Sequence, residues 1–335
     1  MKDTPAIMEG LSALGNAVRT GSRVAMKLLA NGMNPGALRT NATLRKDEWK
    51  ELDTAVVQIS RQRLVGVQDL ISRGLVYNVG NALGTTVLQY EDASDMSDAV
   101  MSMDGAVATD RDRMEFDINS LPLPLTHKGF TLSARVLAAS RTLGQSLDVT
   151  QAQIATRKVA ELVENTLFNG ASTYTYGGGT IYGYTDHPNR NQYTLTAAWD
   201  ASSTTGTNIL DDVRAMKQMA IDAYHFGPWV LYVPTDYETA LDDDFKAESD
   251  KTIRQRILEI SGIQDVKVAD KLATTNVVLA EMAAESARMV VGMQPAPVEW
   301  ETEGGMLLHF KVMAILVPQI RADQDGNCGI VHGSE

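Results

Sequence analysis

Leu121-Pro122-Leu123-Pro124-Leu125 opens the segment on which the fold turns. Each proline lacks an N–H donor and holds the residue before it extended, so this run reads as a stiffened, extended passage and not as a helix. Gly129-Phe130-Thr131-Leu132-Ser133-Ala134-Arg135 follows, with Phe130, Leu132 and Val136 expected to be buried. After Gly144 and Leu147-Asp148 comes the strongest helical pattern in the chain, residues 148–168. Asp148 and Gln151 have the spacing of a capping box. Ala152, Ala155, Val159, Leu162, Val163 and Leu167 make one apolar face, and Arg157, Lys158, Glu161 and Glu164 are expected to lie outside it. At 1.5 Å per residue this is a rod of roughly 30 Å. The helix ends on Glu164-Asn165-Thr166-Leu167-Phe168-Asn169-Gly170, where Asn-Gly supplies the stop. Residues 172–180, with three consecutive glycines, read as a flexible run before Ile181-Tyr182-Gly183-Tyr184.

Upstream, Ile7, Leu11, Leu14 and Val18 form a short helical stripe, interrupted by Gly21, Gly32, Pro35 and Gly36. Residues 1–46 read as an arm poorly anchored on its own. A stronger helix begins at Asp47, with Trp49, Leu52, Val56, Leu64, Val67 and Ile71 near helical spacing and Gly74 as its stop. Residues 76–90 read as a turn leading into a strand. Residues 90–117 are acidic and rich in Met, Ser and Asp, and form either a long loop or a pair of projecting strands.

Downstream the composition becomes α/β. A helix carries Ile209, Val213, Met216, Ala220 and Tyr224, and a buried strand runs from Trp229 to Val233. Thr235 and Glu238 have capping-box spacing ahead of another helix, and residues 253–260 form a short one. Strands at 266–269, 277–280 and 289–291 are expected to complete this unit. Residues 307–320 read as an alternating strand, running into Arg321-Ala322-Asp323-Gln324-Asp325-Gly326-Asn327-Cys328-Gly329-Ile330-Val331. The class is α+β.

The chain has 335 residues, 44% apolar and 21% charged, which excludes disorder throughout. At this length we expect two domains, or one core with excursions. No stretch approaches the roughly 18 apolar residues of a membrane helix. The N-terminus lacks the uninterrupted apolar core of a secretory signal. The net charge of −12 argues against nonspecific nucleic-acid binding over the whole surface. The charge is uneven, however. Residues 1–46 hold Lys2, Arg19, Arg23, Lys27, Arg39, Arg45 and Lys46 against Asp3 and Glu9, a net of +5. Residues 90–117 hold nine acids against Arg111 and Arg113, a net of −7. Such asymmetry suits different partners for different surfaces, although two solvated faces would account for it equally well.

Catalytic signals are sparse. A single cysteine, Cys328, excludes an intramolecular disulfide framework and a Cys-based zinc site. The histidines His127, His187, His225, His309 and His332 have no paired spacing. Gly177-Gly178-Gly179-Thr180 lacks the lysine of a phosphate loop, and no GxSxG elbow occurs. Asp186-His187 are adjacent, which usually points two side chains apart. Asp242-Asp243-Asp244 could ligate Mg²⁺, but a solvated helix end is the simpler reading. No catalytic residue, cofactor or metal is expected, and weight shifts toward a structural protein.

The ordered set from Leu121 to Tyr184, with the helix around Trp49 and Leu52, Gly80 and Gly84 before it and Arg321–Val331 after it, resembles the tailed-phage major capsid proteins of the Hong Kong 97-type fold, in their encapsulin-like branch. The resemblance implies an N-terminal arm (1–46), a helix and lead-in (47–85), an extended β-hairpin loop reaching over a neighbour (86–125), a peripheral domain (126–205) with a long spine helix (149–168), an axial domain (206–292), and return strands of the peripheral domain (293–335). It implies a homo-oligomeric shell of pentamers and hexamers. The expected location is the virion, with assembly in the host cytoplasm. Expected partners are portal and scaffolding proteins, a decoration protein and packaged double-stranded DNA, with no membrane. The seven basic residues of 1–46 would face that DNA. Glu91, Asp92, Asp95, Asp98, Asp104, Asp110 and Asp112 would lie on the inter-subunit loop. Some members weld the shell through a lysine on that loop, and residues 86–127 contain none, so no covalent cross-linking by that route is expected. An encapsulin-type compartment holding enzyme cargo is the alternative, and a metal-dependent hydrolase using Asp242–Asp244 a distant third.

Overall fold

The computed structural model describes residues 64–93, 116–134, 150–246, 250–323 and 325–335, with 101, 103 and 136 as isolated positions. The basic residues of 1–46, the helix expected around Trp49, the Asp148 cap and the loop acids Asp95, Asp98, Asp104, Asp110 and Asp112 lie outside the described residues.

In chain order, helix α1 (Val65–Ser72) leads to strand β1 (Val76–Asn78). Strands β2 (Val87–Ala93) and β3 (Phe116–Pro122) pair as a hairpin, and β4 (Thr126–Ser133) follows. The long helix α2 (Thr150–Asn169) precedes β5 (Ala171–Tyr176), β6 (Gly179–Ile181) and β7 (Asn191–Thr194). Helix α3 (Gly206–Asp222), β8 (Trp229–Val233), the short helices α4 (Glu238–Asp242) and α5 (Ile253–Leu258), β9 (Ile263–Val268) and β10 (Val277–Glu281) come next. The chain closes with β11 (Ala287–Thr302), β12 (Leu307–Ile320) and β13 (Ile330–Ser334).

Two sheets carry the fold, in the orders β1-β11-β12-β4 and β7-β13-β10-β8-β9. Strand β12 is apolar on both faces along its second half, and side chains alternate with a period of two. Val312, Ala314 and Leu316 therefore enter the core beneath α1 and α2, while Ile315 and Val317 enter a second core with Leu121, Leu123 and Ile181. Strand β8 divides its side chains in the same way. Val230 and Tyr232 join the α2 core, and Trp229, Leu231 and Val233 join a third one under α3. The strand expected at 289–291 is real, but it is the start of β11 in the four-stranded sheet. Its antiparallel pairing with β12, from Ala287↔Ile320 to Thr302↔Leu307, holds it there. The five-stranded sheet is completed instead by β7 and β13.

The turn after α2 accounts for the Gly170 and Gly183 signals. Gly170 takes a left-handed φ of 68°, which glycine adopts without a Cβ clash. The chain then returns across the helix end, where the Tyr184 and Thr185 amides donate to the Leu167 and Phe168 carbonyls, both at 2.9 Å. A Cβ on Gly183 would sit 2.3 Å from the Gly170 nitrogen. Tyr184 packs edge-on against Phe168 and stacks on Tyr232.

Several sequence expectations need correction. The buried face of α2 is rotated. Leu162 is 52% exposed, whereas Glu164 is only 3% exposed. Glu164 lies four residues after Ala160 and three before Leu167, on the flank that α1 covers. Val136 is exposed, at a position the sheet does not cover. Tyr224 is exposed because α3 ends at Asp222 and the chain turns left-handed at Tyr224. Residues 172–180 are mostly ordered strand, with Gly177 and Gly178 at positive φ in the β5–β6 turn. The Thr235–Glu238 box does not form, because a 3-10 turn occupies 235–237 and Pro234 is its N-cap. The capping box lies at Thr252–Gln255, ahead of α5.

Glu164 replaces the missing cap of α1. Leu64, the N-cap, makes no side-chain bond, and the carboxylate of Glu164 accepts from the Gly66 amide at 2.6 Å and the Val67 amide at 3.3 Å. Gly66 permits the approach, since a Cβ there would meet Leu167 at 2.9 Å. Asp69 of α1 accepts from the Tyr232 hydroxyl at 2.9 Å and pairs with Lys267, tying α1 to the five-stranded sheet. Burial pushes the Glu164 carboxyl up to about 7, against the opposing pull of the two amides. The native state thus holds a proton that the unfolded chain has already released. The associated stability is full below pH about 4.5, is lost as pH rises to about 7, and is flat above that. The loss amounts to about 3 kcal/mol. Buried His187 and His332, both lowered to about 4, add stability as pH rises through part of the same window, so the test is a difference. Denaturant midpoints measured from pH 4.5 to 8 should show Glu164→Gln gaining stability relative to the native chain as pH rises.

Candidate assembly surface

The described ends of the acidic region belong to a hairpin that is buried at Leu121 and Pro122 and exposed from Phe116 to Asn119. Register runs from Val87↔Pro122 to Ala93↔Phe116. Leu121 and Pro122 are buried against the second core, but β3 is exposed from Phe116 to Asn119. Phe116 and Ile118, two apart and hence on one face, are 58% and 65% exposed. A two-stranded ribbon is marginally stable by itself, and covering this apolar face would add stability.

Two devices fix how the ribbon leaves the body. The β5–β6 hairpin lies flush against β3, and a Cβ on Gly179 would come within 1.9 Å of the Ser120 carbonyl oxygen. On the other side stands Arg321, directly after β12. Its guanidinium donates to the Glu91 carbonyl at 3.0 Å, approaches Asp92 Oδ1 at 3.4 Å and sits 5.7 Å over the Tyr90 ring. Asp92 also accepts from Asn119 across the ribbon at 2.5 Å. Burial, with Asp92 beside it, pushes the Tyr90 phenol up to about 12, so it stays neutral.

Of the acids assigned to this loop, Glu91 is exposed and takes part through its backbone, and Asp92 is a structural anchor. Nothing in the spacing of residues 90–117 pointed to Arg321, some 230 positions away. Glu164 did carry a signal, an acid on the helix flank between Ala160 and Leu167.

The other candidates resolve into structural roles. Asp242 is 62% exposed at its side chain and pairs with Arg254 at 2.9 Å. No cluster of three His, Cys, Asp or Glu suited to a metal occurs among the described residues. Asp186 accepts from the Gly183 amide at 2.5 Å, while His187 Nδ1 accepts from the Asn189 amide. Burial lowers His187 to about 4. Cys328 is buried, and desolvation pushes its thiol up to about 12. Ser286, His225 and Glu281 gather the residue types of a hydrolytic relay. However, serine and glutamate both meet the same ring nitrogen, Nδ1, and Ser286 is fully buried. A relay needs the nucleophile and the carboxylate on opposite nitrogens. No helix among the described residues is long and apolar enough to cross a membrane.

Solved structures share this architecture. A virus-like particle protein from Pyrococcus furiosus superposes with a TM-score of 0.60 at 17% identity, over 85% of this chain and 98% of that one. The capsid protein of Myoviridae phage XM1 gives 0.59 at 8% identity, over 75% and 86% of the two chains. The fold is therefore the α+β capsid fold of the Hong Kong 97 type. In sequence, the Type 1 encapsulin shell protein EncA of Myxococcus xanthus (strain DK1622) is 24% identical over 238 residues, 70% of this chain and 71% of that protein. Residues 38–333 match DUF6260, described as a family of unknown function, and the chain belongs to that family.

Replacing Arg321 with Ala removes the anchor of β2. Amide exchange of residues 87–93 should rise severalfold while that of β12 stays unchanged, as read by hydrogen-exchange mass spectrometry on the full chain.

Proposed function

We propose that this chain is a shell subunit that self-assembles into pentamers and hexamers of an icosahedral particle, namely the head of a tailed bacteriophage enclosing double-stranded DNA. The observation that carries the reading is the β2–β3 ribbon. Its base is clamped by Arg321 and β5–β6, and its outer strand exposes Phe116 and Ile118. A projecting element with a fixed root and an uncovered apolar face suits contact with a neighbouring copy. Under this reading α2 is the spine of the peripheral domain, the five-stranded sheet is the body of the axial domain, and 1–46 is a basic arm that offsets phosphate charge. Portal, scaffolding and decoration proteins would be further partners. The chain acts by tiling and not by turning over a substrate.

The likeness to an encapsulin shell protein favours a second reading, a compartment for enzyme cargo. Contents separate the two. The purified chain, alone and with its genomic neighbours, should form megadalton particles in negative-stain microscopy. Nuclease-protected double-stranded DNA inside them supports the viral head, and co-purifying protein cargo supports the compartment. A monomer at high concentration overturns both.

Phe116→Asp with Ile118→Asp should leave the subunit folded by circular dichroism but abolish particles in light scattering. Intact particles boiled in denaturant should run as single chains on a gel, because residues 86–127 carry no lysine for a loop isopeptide bond.

A further inference from the structure

The loop after α3 displays two large aromatic side chains. Tyr224 is 77% exposed and Phe226 is 69% exposed. Between them His225 points inward, and the backbone at Tyr224 is left-handed, with φ of 61°. A non-glycine residue holds that conformation only where its surroundings impose it.

At Tyr224 that surrounding is the end of α3 itself, where the His225 amide donates back to the Ala220 carbonyl at 2.9 Å. The loop beyond it is held by a single buried carboxylate. Glu281, at the end of β10, accepts from His225 Nδ1 at 2.5 Å through Oε2 and from the Gly227 amide at 2.9 Å through Oε1. Its grip therefore closes on both sides of Phe226. Ser286 also donates to Glu281 and lies 3.2 Å from the same imidazole nitrogen. The other face of the ring meets the turn after β12, through the Asn327 backbone and the charge of Asp323. Cys328 in that turn stays a neutral thiol. Among the described residues, the charged groups that act most on His225 are Glu281 and Asp323, both acidic.

We propose that residues 224–227 form a proton-sensitive loop. With His225 protonated, its ring and the Gly227 amide are pinned to Glu281 and the Tyr224 and Phe226 rings are held outward. With His225 neutral, the ion pair is lost and the loop is released.

The hydrogen bond with Glu281 raises His225 above its ordinary value of 6.5, against burial. Burial alone would raise Glu281, but the bonds from His225 and Ser286 outweigh it and hold the acid below its ordinary value. The sign follows. The pair is intact between the depressed value of the acid and the elevated value of the imidazole, and it weakens as pH climbs through the latter. This device is independent of whether the chain builds shells.

Hydrogen exchange of the full chain, corrected for intrinsic base catalysis, tests it from pH 6 to 9. Peptides covering 222–229 should lose protection severalfold in one transition centred above pH 6.5, while peptides from β12 stay flat. His225→Gln should show the low-protection state at every pH. A second readout is chymotryptic cleavage after Tyr224 or Phe226, normalised to a free peptide of the same sequence, which should accelerate over the same interval. Protection of 222–229 that is independent of pH in the native chain overturns the proposal, whatever the variant does. So does a transition that survives in His225→Gln.

Discussion

A strand has only two faces, and the pairing of β11 with β12 uses both. One face receives α1 and α2, and the other receives the root of the projecting ribbon and the β5–β6 hairpin. The continuous apolar run at the end of β12 follows from this, because a strand covered on both sides has no solvent position for a polar residue. The fold is thus a set of layers sharing one central pair of strands. Displacing that pair would disturb two cores at once.

Against this doubly packed centre, the β2–β3 ribbon is built on a different principle. Its root is buried and hydrogen-bonded, and its outer strand presents apolar side chains to water. Ordering such a segment costs backbone entropy that its own contacts offset only marginally. A neighbouring surface can supply the missing burial. Distributing stability over many such contacts gives an assembly in which each one is weak and the sum is large.

Much of this was legible in the sequence, and the exceptions have physical causes. The helix at 148–168, the strands at 229–233 and 307–320 and the stop at Asn169-Gly170 follow from local periodicity and backbone chemistry, and each is present in the structure within a residue or two. Some failures were local, as at Thr235 and Tyr224, and the others were decided by a distant partner. Periodicity alone could not tell which flank α1 would cover, so it placed Glu164 in solvent and Leu162 in the core. Three apolar residues at 289–291 make a strand in either sheet, and only the long pairing with β12 decides which. The glycines at 177–179 suggested flexibility, whereas two of them make a tight turn and the third allows close approach to Ser120. Of the candidate interface residues, Glu91 and Asp92 came from composition, but the group that organises them, Arg321, is remote in sequence and no spacing rule connects it to them.

The ribbon is anchored partly from outside itself. Arg321, Asn119 and the Gly179–Ser120 contact set the direction in which the ribbon departs, and they are spread along its seven described residue pairs. Arg321 and Gly179 lie outside both strands of the ribbon, yet each sets part of its course. A substitution at either would re-point the ribbon without altering any residue of its own two strands.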